Sequence, residues 1–368
     1  MFTKPKIAII GTKGITDVVG GYETMARKFA DFSNKFGFEL HIYGYESGDS
    51  SNYDSVFEHP IKLKSFLPNS QFFYDLESYL HARDYADGII LCGYDIAPII
   101  SLFNDKRVVV NTDGIEWMRK SYPLPFRFFE RFMEYLTSKS KLTLVSDSLF
   151  IKDYYNKRHG VTTNYIPYGF DDCKINPKII DKYSLKINEY FVVSVRLSPE
   201  NGIDSIISSF IEAQIDPKYK LVILGHLDSN NAYHQKLKLQ IIENNKEEQI
   251  KFINVSVSDT DYSHLRGNCL SYVHGHSCGG TSPALVEAIG YGNYIIARDW
   301  YPSVEILDRN MKFFRDNKSL IKAFKEVVSA NKESLSQMGQ KLREKRAPTF
   351  NWERLIKIYL ALCLGDRD

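Results

Sequence analysis

The 368-residue sequence is short of cysteine, has no long apolar run and carries almost no charge excess. The five cysteines, Cys92, Cys173, Cys269, Cys278 and Cys363, are odd in number and irregularly spaced, and no two form C-x-x-C. That argues against a disulfide framework and a zinc site. No stretch approaches the ~18 apolar residues of a membrane span. The start, Met1-Phe2-Thr3-Lys4-Pro5-Lys6, has no signal-peptide pattern, so a reduced, cytoplasmic protein is expected. Lysine plus arginine total 47 against 45 aspartate plus glutamate, a net charge of +2, which is no nucleic-acid signature. Repeats and low-complexity tracts are missing. So are the dinucleotide fingerprint G-x-G-x-x-G, a P-loop ending in Gly-Lys-Ser/Thr, and a well-placed D-x-D. His274 and His276 flank one glycine without a cysteine or carboxylate at ligand spacing, so no metal site is expected.

What is present is an ordinary globular composition, 43% hydrophobic and 25% charged, with length for about two domains. Short runs rich in β-branched residues recur, each followed by a helical pattern. Lys6–Ile10, His41–Tyr43, Ile89–Cys92, Val108–Val110 and Leu142–Val145 lie in the first half. Phe191–Val195, Leu221–Leu224, Phe252–Ile253, Ser271–Val273 and Tyr294–Ala297 lie in the second. Continuous rather than alternating runs predict parallel strands covered on both faces. The polar, lysine-rich stretch 171–189 divides the halves, giving domains over 1–172 and 187–345. A terminal helix from about 350 to 368 is read as packing back on the first domain, or as a simple cap.

Ligands of open parallel sheets bind beyond the carboxyl ends of the strands. Four loops there hold chemistry. Gly20-Gly21 before the first helix suits close approach to an anion or sugar, with Glu23 in the first turn, or is a plain flexible turn. Asp113 follows the fourth strand and suits a sugar hydroxyl, a base, or an Asx-turn. Arg196 just past a buried strand suits a bidentate clamp on a diphosphate, or a structural salt bridge. Gly279-Gly280-Thr281-Ser282-Pro283 opens a short helix over 284–291, with Ser282 as N-cap and Gly292 as its stop, and exposes N–H groups to phosphate oxygens. Glu287, one turn inside, can accept two hydrogen bonds from a ribose diol, or is a solvated helix residue. His276 lies beside the same loop.

Taken in order, these motifs resemble retaining glycosyltransferases of family 4. The likeness is strongest to the subgroup whose N-terminal domain is typical of bacterial rhamnosyltransferases. It rests on Ile9–Ile15 with Gly20–Thr24, Asn111–Trp117, Val145–Ser148, Ile166–Asp171, Arg196–Asn201, His274–Ala288 and the closing Phe350–Glu353. The resemblance implies the GT-B fold, an α/β architecture of two Rossmann-like domains whose parallel sheets face each other across a cleft. It implies that the first domain, 1–172, takes the acceptor, and that a nucleotide-sugar donor, dTDP- or UDP-linked, is held by the second, with Arg196 on the diphosphate and Glu287 on the ribose. His276, Gly279, Gly280, Thr281 and Ser282 would complete the donor site, Gly20, Gly21 and Glu23 would form a phosphate and acceptor loop, and Asp113 would touch the donor sugar. It also implies transfer of a hexosyl group, L-rhamnose from dTDP-rhamnose above others, to a lipid-diphosphate-linked saccharide in O-antigen or capsule synthesis, with no cofactor or metal. Two positions depart from the family pattern. Gly279 stands where the first glutamate of E-x7-E is usual, and Asn201 where a lysine is. Both departures are typical of the subgroup, and they leave a catalytically silent sugar-nucleotide- or glycan-binding subunit, or an epimerase of the same fold, as alternatives. The interleaved aromatic and basic residues of Arg119–Tyr122 and Pro125–Phe132 read as an interfacial helix at the cytoplasmic face of the inner membrane, or as a core-packed helix with a basic edge.

Overall fold

The computed structural model describes residues 4–15, 20–44, 53–61, 70–112, 114–119, 122–255 and 260–365. The chain forms two compact units, Met1–Tyr168 with Asn351–Asp368, and Gly169–Phe350. The polar stretch 171–189, read above as the boundary, therefore falls inside the second unit. Phe170 explains it: its N–H donates to the Phe350 carbonyl (3.0 Å) and its ring lies 6.5 Å from the Phe350 ring.

The first unit runs β1 (Lys6–Thr12), α1 (Gly21–Phe36), β2 (Glu39–Gly44), β3 (Val56–Glu58), α2 (Gln71–Ala82), β4 (Gly88–Cys92), α3 (Ala97–Ile100), β5 (Val108–Asn111), α4 (Leu124–Ser138), β6 (Thr143–Ser146), α5 (Leu149–His159) and β7 (Asn164–Tyr165). Its strands form one parallel sheet in the order β3-β2-β1-β4-β5-β6-β7. The strand order reverses between β1 and β4, the place where such sheets bind ligands. Alternate residues of β1 feed two cores. Ile7 and Ile9 pack with Phe29 of α1 on one face, while Ala8 and Ile10 pack with Tyr79 of α2 on the other. Burial on both faces is why the strand has no polar alternation.

The second unit runs β8 (Tyr190–Ser194), α6 (Ile203–Ala213), β9 (Lys220–Leu224), α7 (Ala232–Glu243), β10 (Ile250–Ile253), α8 (Thr260–Gly267), β11 (Ser271–His274), α9 (Pro283–Gly290), β12 (Ile295–Arg298), α10 (Tyr301–Ile306), β13 (Lys312–Phe314), α11 (Asn317–Ser329) and α12 (Lys332–Arg346). The parallel sheet order is β10-β9-β8-β11-β12-β13, so this sheet reverses between β8 and β11.

The closing helix, α13 (Trp352–Leu364), is part of the first unit's core. Tyr359 meets Phe29 edge-on at 5.8 Å and its hydroxyl accepts a 2.9 Å hydrogen bond from Asn111 Nδ2 at the end of β5. Gly88 permits the approach, since a Cβ there would lie 2.6 Å from Cys363 Cβ.

α4 is turned inside out relative to an ordinary amphipathic helix. Glu130 and Glu134 are buried, at 3% and 1% exposure, while Phe128 and Phe132 stand 69% and 58% exposed. Partners inside decide it. Glu134 accepts from Trp117 Nε1 (2.9 Å), Tyr154 Oη (2.7 Å) and His159 Nε2 (2.7 Å). Arg131 and Arg158 both lie over the Trp117 ring, at 5.2 and 5.5 Å. The core-packed alternative for this aromatic run is thus overturned.

Candidate donor site and family

The loops after β8 and β11, on either side of the second sheet's reversal, are stitched together by short contacts. Asn201 is buried, and its Nδ2 donates to the Arg196 carbonyl at 2.8 Å. Its Oδ1 then accepts from His276 Nδ1, also at 2.8 Å. Ser277 N–H and Oγ both donate to the Glu200 carbonyl, at 3.1 and 2.9 Å. Asn201, where the family usually has lysine, therefore ties the two loops to each other with a neutral amide. Arg196 itself is exposed, and its guanidinium makes no hydrogen bond or ion pair among the described residues. The structural salt bridge is overturned.

Gly279 has φ +83°, the left-handed region that favours glycine. Any side chain there, the family's usual glutamate included, is strained by about 1–2 kcal/mol. Ser282 occupies the N-cap position of α9, but its side chain makes no cap hydrogen bond. This corrects the reading of Ser282 as a capping side chain: only its carbonyl serves the helix, accepting from Leu285 N (3.0 Å) and Val286 N (3.2 Å). Beside this loop two buried polar groups have no hydrogen-bond partner among the described residues: both ring nitrogens of His274, fully buried at the end of β11, and Thr281 Oγ1. Burial holds His274 well below the usual imidazole range, so its ring is neutral. Orphaned buried polar atoms of this kind are rare, and each asks for a ligand or water.

Glu287 is not the freely solvated helix residue of the plain reading. One of its oxygens, Oε2, is ion-paired to Nη1 of Arg266, whose side chain is fully buried while that of Glu287 is 19% exposed. Oε1 has no hydrogen bond among the described residues. Arg266 is caged by the rings of Tyr262, Tyr272 and Tyr291, at 5.1, 5.2 and 5.1 Å, and also donates to Tyr262 Oη (2.8 Å) and the Ala284 carbonyl (2.5 Å). The cage continues to the loop: Tyr272 stacks on His274, which lies 5.8 Å from His276. Arg266 is the residue that sequence reasoning missed. A single arginine near the end of a short helix carries no local sign that three tyrosines will enclose it.

In the first unit, Gly20 and Gly21 are fitted to protein rather than to a flexible turn. A Cβ on Gly20 would run into the Glu23 carboxylate, and one on Gly21 would lie 2.6 Å from Tyr168 Oη. Glu23 is buried and its Oε1 accepts from Lys13 N (3.1 Å) and Thr12 Oγ1 (3.4 Å), pinning the β1 loop to α1. Asp113 lies outside the described residues, as do Lys120 and Ser121 of the aromatic–basic run.

Comparisons with known proteins bear on both units. Residues 4–171 match a family described as a domain of unknown function (DUF1972). Residues 176–345 match the family Glycosyl transferases group 1. No curated protein matches the sequence. Among solved structures, sucrose-phosphate synthase from Thermosynechococcus elongatus is similar, with TM-score 0.77 and 13% identity over 96% of this chain and 97% of that one. HepE from Anabaena, in complex with UDP-glucose, gives 0.74 and 15% over 96% and 98%. WaaG, a glycosyltransferase involved in lipopolysaccharide biosynthesis, gives 0.73 and 14% over 98% and 100%. Residues 176–345 thus match Glycosyl transferases group 1, and the chain has the GT-B fold, two parallel-sheet Rossmann-like domains in one polypeptide.

Proposed function

We propose that the protein is a retaining family 4 glycosyltransferase that moves a hexosyl group from a nucleotide-sugar donor to an acceptor hydroxyl. The favoured donor is dTDP-L-rhamnose, with a UDP-sugar as the other choice. The favoured acceptor is a lipid-linked or oligosaccharide chain in O-antigen or capsule synthesis. The observation that carries the reading is that the neighbouring loops after β8 and β11 bear a guanidinium with no partner among the described residues and a glycine-turned loop before a helix without a side-chain cap, followed on that helix by a carboxylate with one oxygen clamped and the other without a partner among the described residues.

In this reading Arg196 and the N–H groups at the start of α9 meet the charge that develops on the departing diphosphate. Glu287 Oε1 accepts from the ribose, with Arg266 fixing the carboxylate's direction. His276 and Thr281 line the sugar and phosphate side, and Asp113 touches the sugar. The acceptor hydroxyl attacks the face that the diphosphate leaves, so configuration is kept. No cofactor enters the scheme. The bound UDP-glucose of the Anabaena relative and the lipopolysaccharide role of WaaG support the substrate classes.

The outward aromatic face of α4 suits an anionic membrane surface. Phe128, Phe132 and Tyr135 supply apolar area, and Arg131, Lys139 and Arg158 line the same groove. Among the described residues no helix is long and apolar enough to cross a membrane, so the contact proposed is peripheral. Replacing Phe128 and Phe132 together by serine is expected to weaken co-sedimentation with anionic vesicles by about ten-fold or more. UDP affinity should stay unchanged; equal vesicle binding by the variant would remove the membrane role.

The function is tested by incubating the chain with radiolabelled dTDP-rhamnose or UDP-glucose and lipid-linked saccharides from bacterial membranes. Label appearing in the lipid fraction supports transfer. Nucleotide binding without transfer from any donor points to the silent subunit that the glycine at 279 suggests, and interconversion of the donor without acceptor points to an epimerase.

A further inference from the structure

A free carboxylate has two acceptor oxygens, and a ribose diol suits it by giving one hydroxyl to each. Glu287 does not stand free. Its Oε2 is ion-paired to Arg266 Nη1, and the Arg266 side chain is fully buried. A partner that water cannot reach keeps Oε2 on the protein side of the carboxylate. Oε1, with no hydrogen bond among the described residues, is the oxygen left for a ligand.

Arg266 is not free to give Oε2 back. Its guanidinium also donates to Tyr262 Oη (2.8 Å) and to the Ala284 carbonyl (2.5 Å), and the rings of Tyr262, Tyr272 and Tyr291 enclose it. Its backbone is held too, since Asn293 Nδ2 donates to the Arg266 carbonyl at 3.0 Å. The cage is anchored to the end of β8. Ser194 Oγ and Tyr262 Oη share a 2.6 Å hydrogen bond, and Tyr272 Oη donates to the Ser194 carbonyl at 3.1 Å. A ribose hydroxyl competing for Oε2 would have to part a fully buried guanidinium from its counter-charge, the most expensive kind of loss inside a protein.

We propose that Arg266 is a specificity-determining residue of the donor site. By occupying Oε2 it limits Glu287 to a single ribose hydroxyl, so that a nucleoside diphosphate lacking the other hydroxyl binds as well as the full ribonucleotide. The inference rests on the nucleotide-sugar reading above and narrows it. A carboxylate with both oxygens open selects the intact diol; this one asks for one hydroxyl. A hydrogen bond to a charged group is worth roughly ten- to hundred-fold in dissociation constant, so the two cases differ by an amount that titration resolves.

The test is calorimetric titration of the full chain with UDP, 2′-deoxy-UDP and 3′-deoxy-UDP, and with the same three sugars bearing thymine. One deoxy position is expected to cost about ten-fold or more and the other no more than about three-fold. In Arg266→Met both oxygens of Glu287 are open. All the nucleotides should weaken together, and the formerly silent position should now cost about ten-fold as well. That change in ratio separates reading of the ribose from packing, which would weaken every nucleotide alike. Should this variant fail to fold, the comparison in the unaltered chain decides by itself. The inference is overturned by a ten-fold cost at both positions of the unaltered chain, by none at either, or by a folded Arg266→Met with unchanged ratios. In each of those cases UDP still binds and the donor reading stands. A chain that binds none of the nucleotides removes the donor reading and this inference with it.

Discussion

Replacing Arg266 by methionine is expected to cost the second unit about 3 kcal/mol, at the lower end of what breaking a buried ion pair costs. For a unit of this size that is a fall in melting temperature of roughly 6–12 °C. The guanidinium is fully buried, donates to Glu287, Tyr262 and the Ala284 carbonyl, and fills the space between three tyrosine rings. Methionine fills much of that space but donates nothing. The cost stays at the low end because Glu287 is partly exposed, so water can reach the carboxylate left behind. A second consequence separates positioning from packing. Glu287 loses the partner that fixes its direction, so UDP affinity should fall even at temperatures where the variant is folded. Adding Glu287→Gln to Arg266→Met should recover part of the stability and none of the affinity. An unchanged melting temperature in the single variant would contradict the buried-pair account.

Arg196→Ala is expected to act the other way, on binding without stability. Arg196 is exposed, and its side chain holds nothing in place among the described residues, so the fold should lose no more than about 0.5 kcal/mol. A charge-assisted contact to a diphosphate contributes about 1.5–3 kcal/mol, which is roughly ten- to hundred-fold in dissociation constant. Calorimetric titration with UDP and dTDP reads this directly. Equal affinity in the variant would remove Arg196 from the site, whatever became of transfer.

The strands at the centre of each sheet were legible because burial on both faces forces continuous apolar runs. β1, β4, β5, β8, β9 and β12 all lie where such runs stand. The edges were not. Val56–Glu58, Asn164–Tyr165 and Lys312–Phe314 are two or three residues long and mix polar with apolar side chains, so no periodicity announces them. The order of the glycine-rich loop, Glu287 and Arg196 was visible through resemblance. What each does locally was not: Gly20 and Gly21 make room for Glu23 and Tyr168, and Ser282 leaves its helix uncapped.

α4 shows the division most clearly. Its spacing of phenylalanine, arginine and glutamate predicts a helix with two faces, because neighbours three and four apart share a side. Which face turns inward depends on Trp117, Tyr154 and His159, which reach Glu134 from 17 to 25 positions away. The same holds for Arg266, whose cage joins α8, β11 and the end of α9. By itself the sequence determined two parallel α/β units and where the loops with the candidate residues fall along the chain, since strand burial and helix starts are local properties. Only the tertiary structure decided which charges are enclosed, which are left open to a ligand and which aromatics face outward. Those outcomes depend on partners far away along the chain, and local pattern says nothing of them.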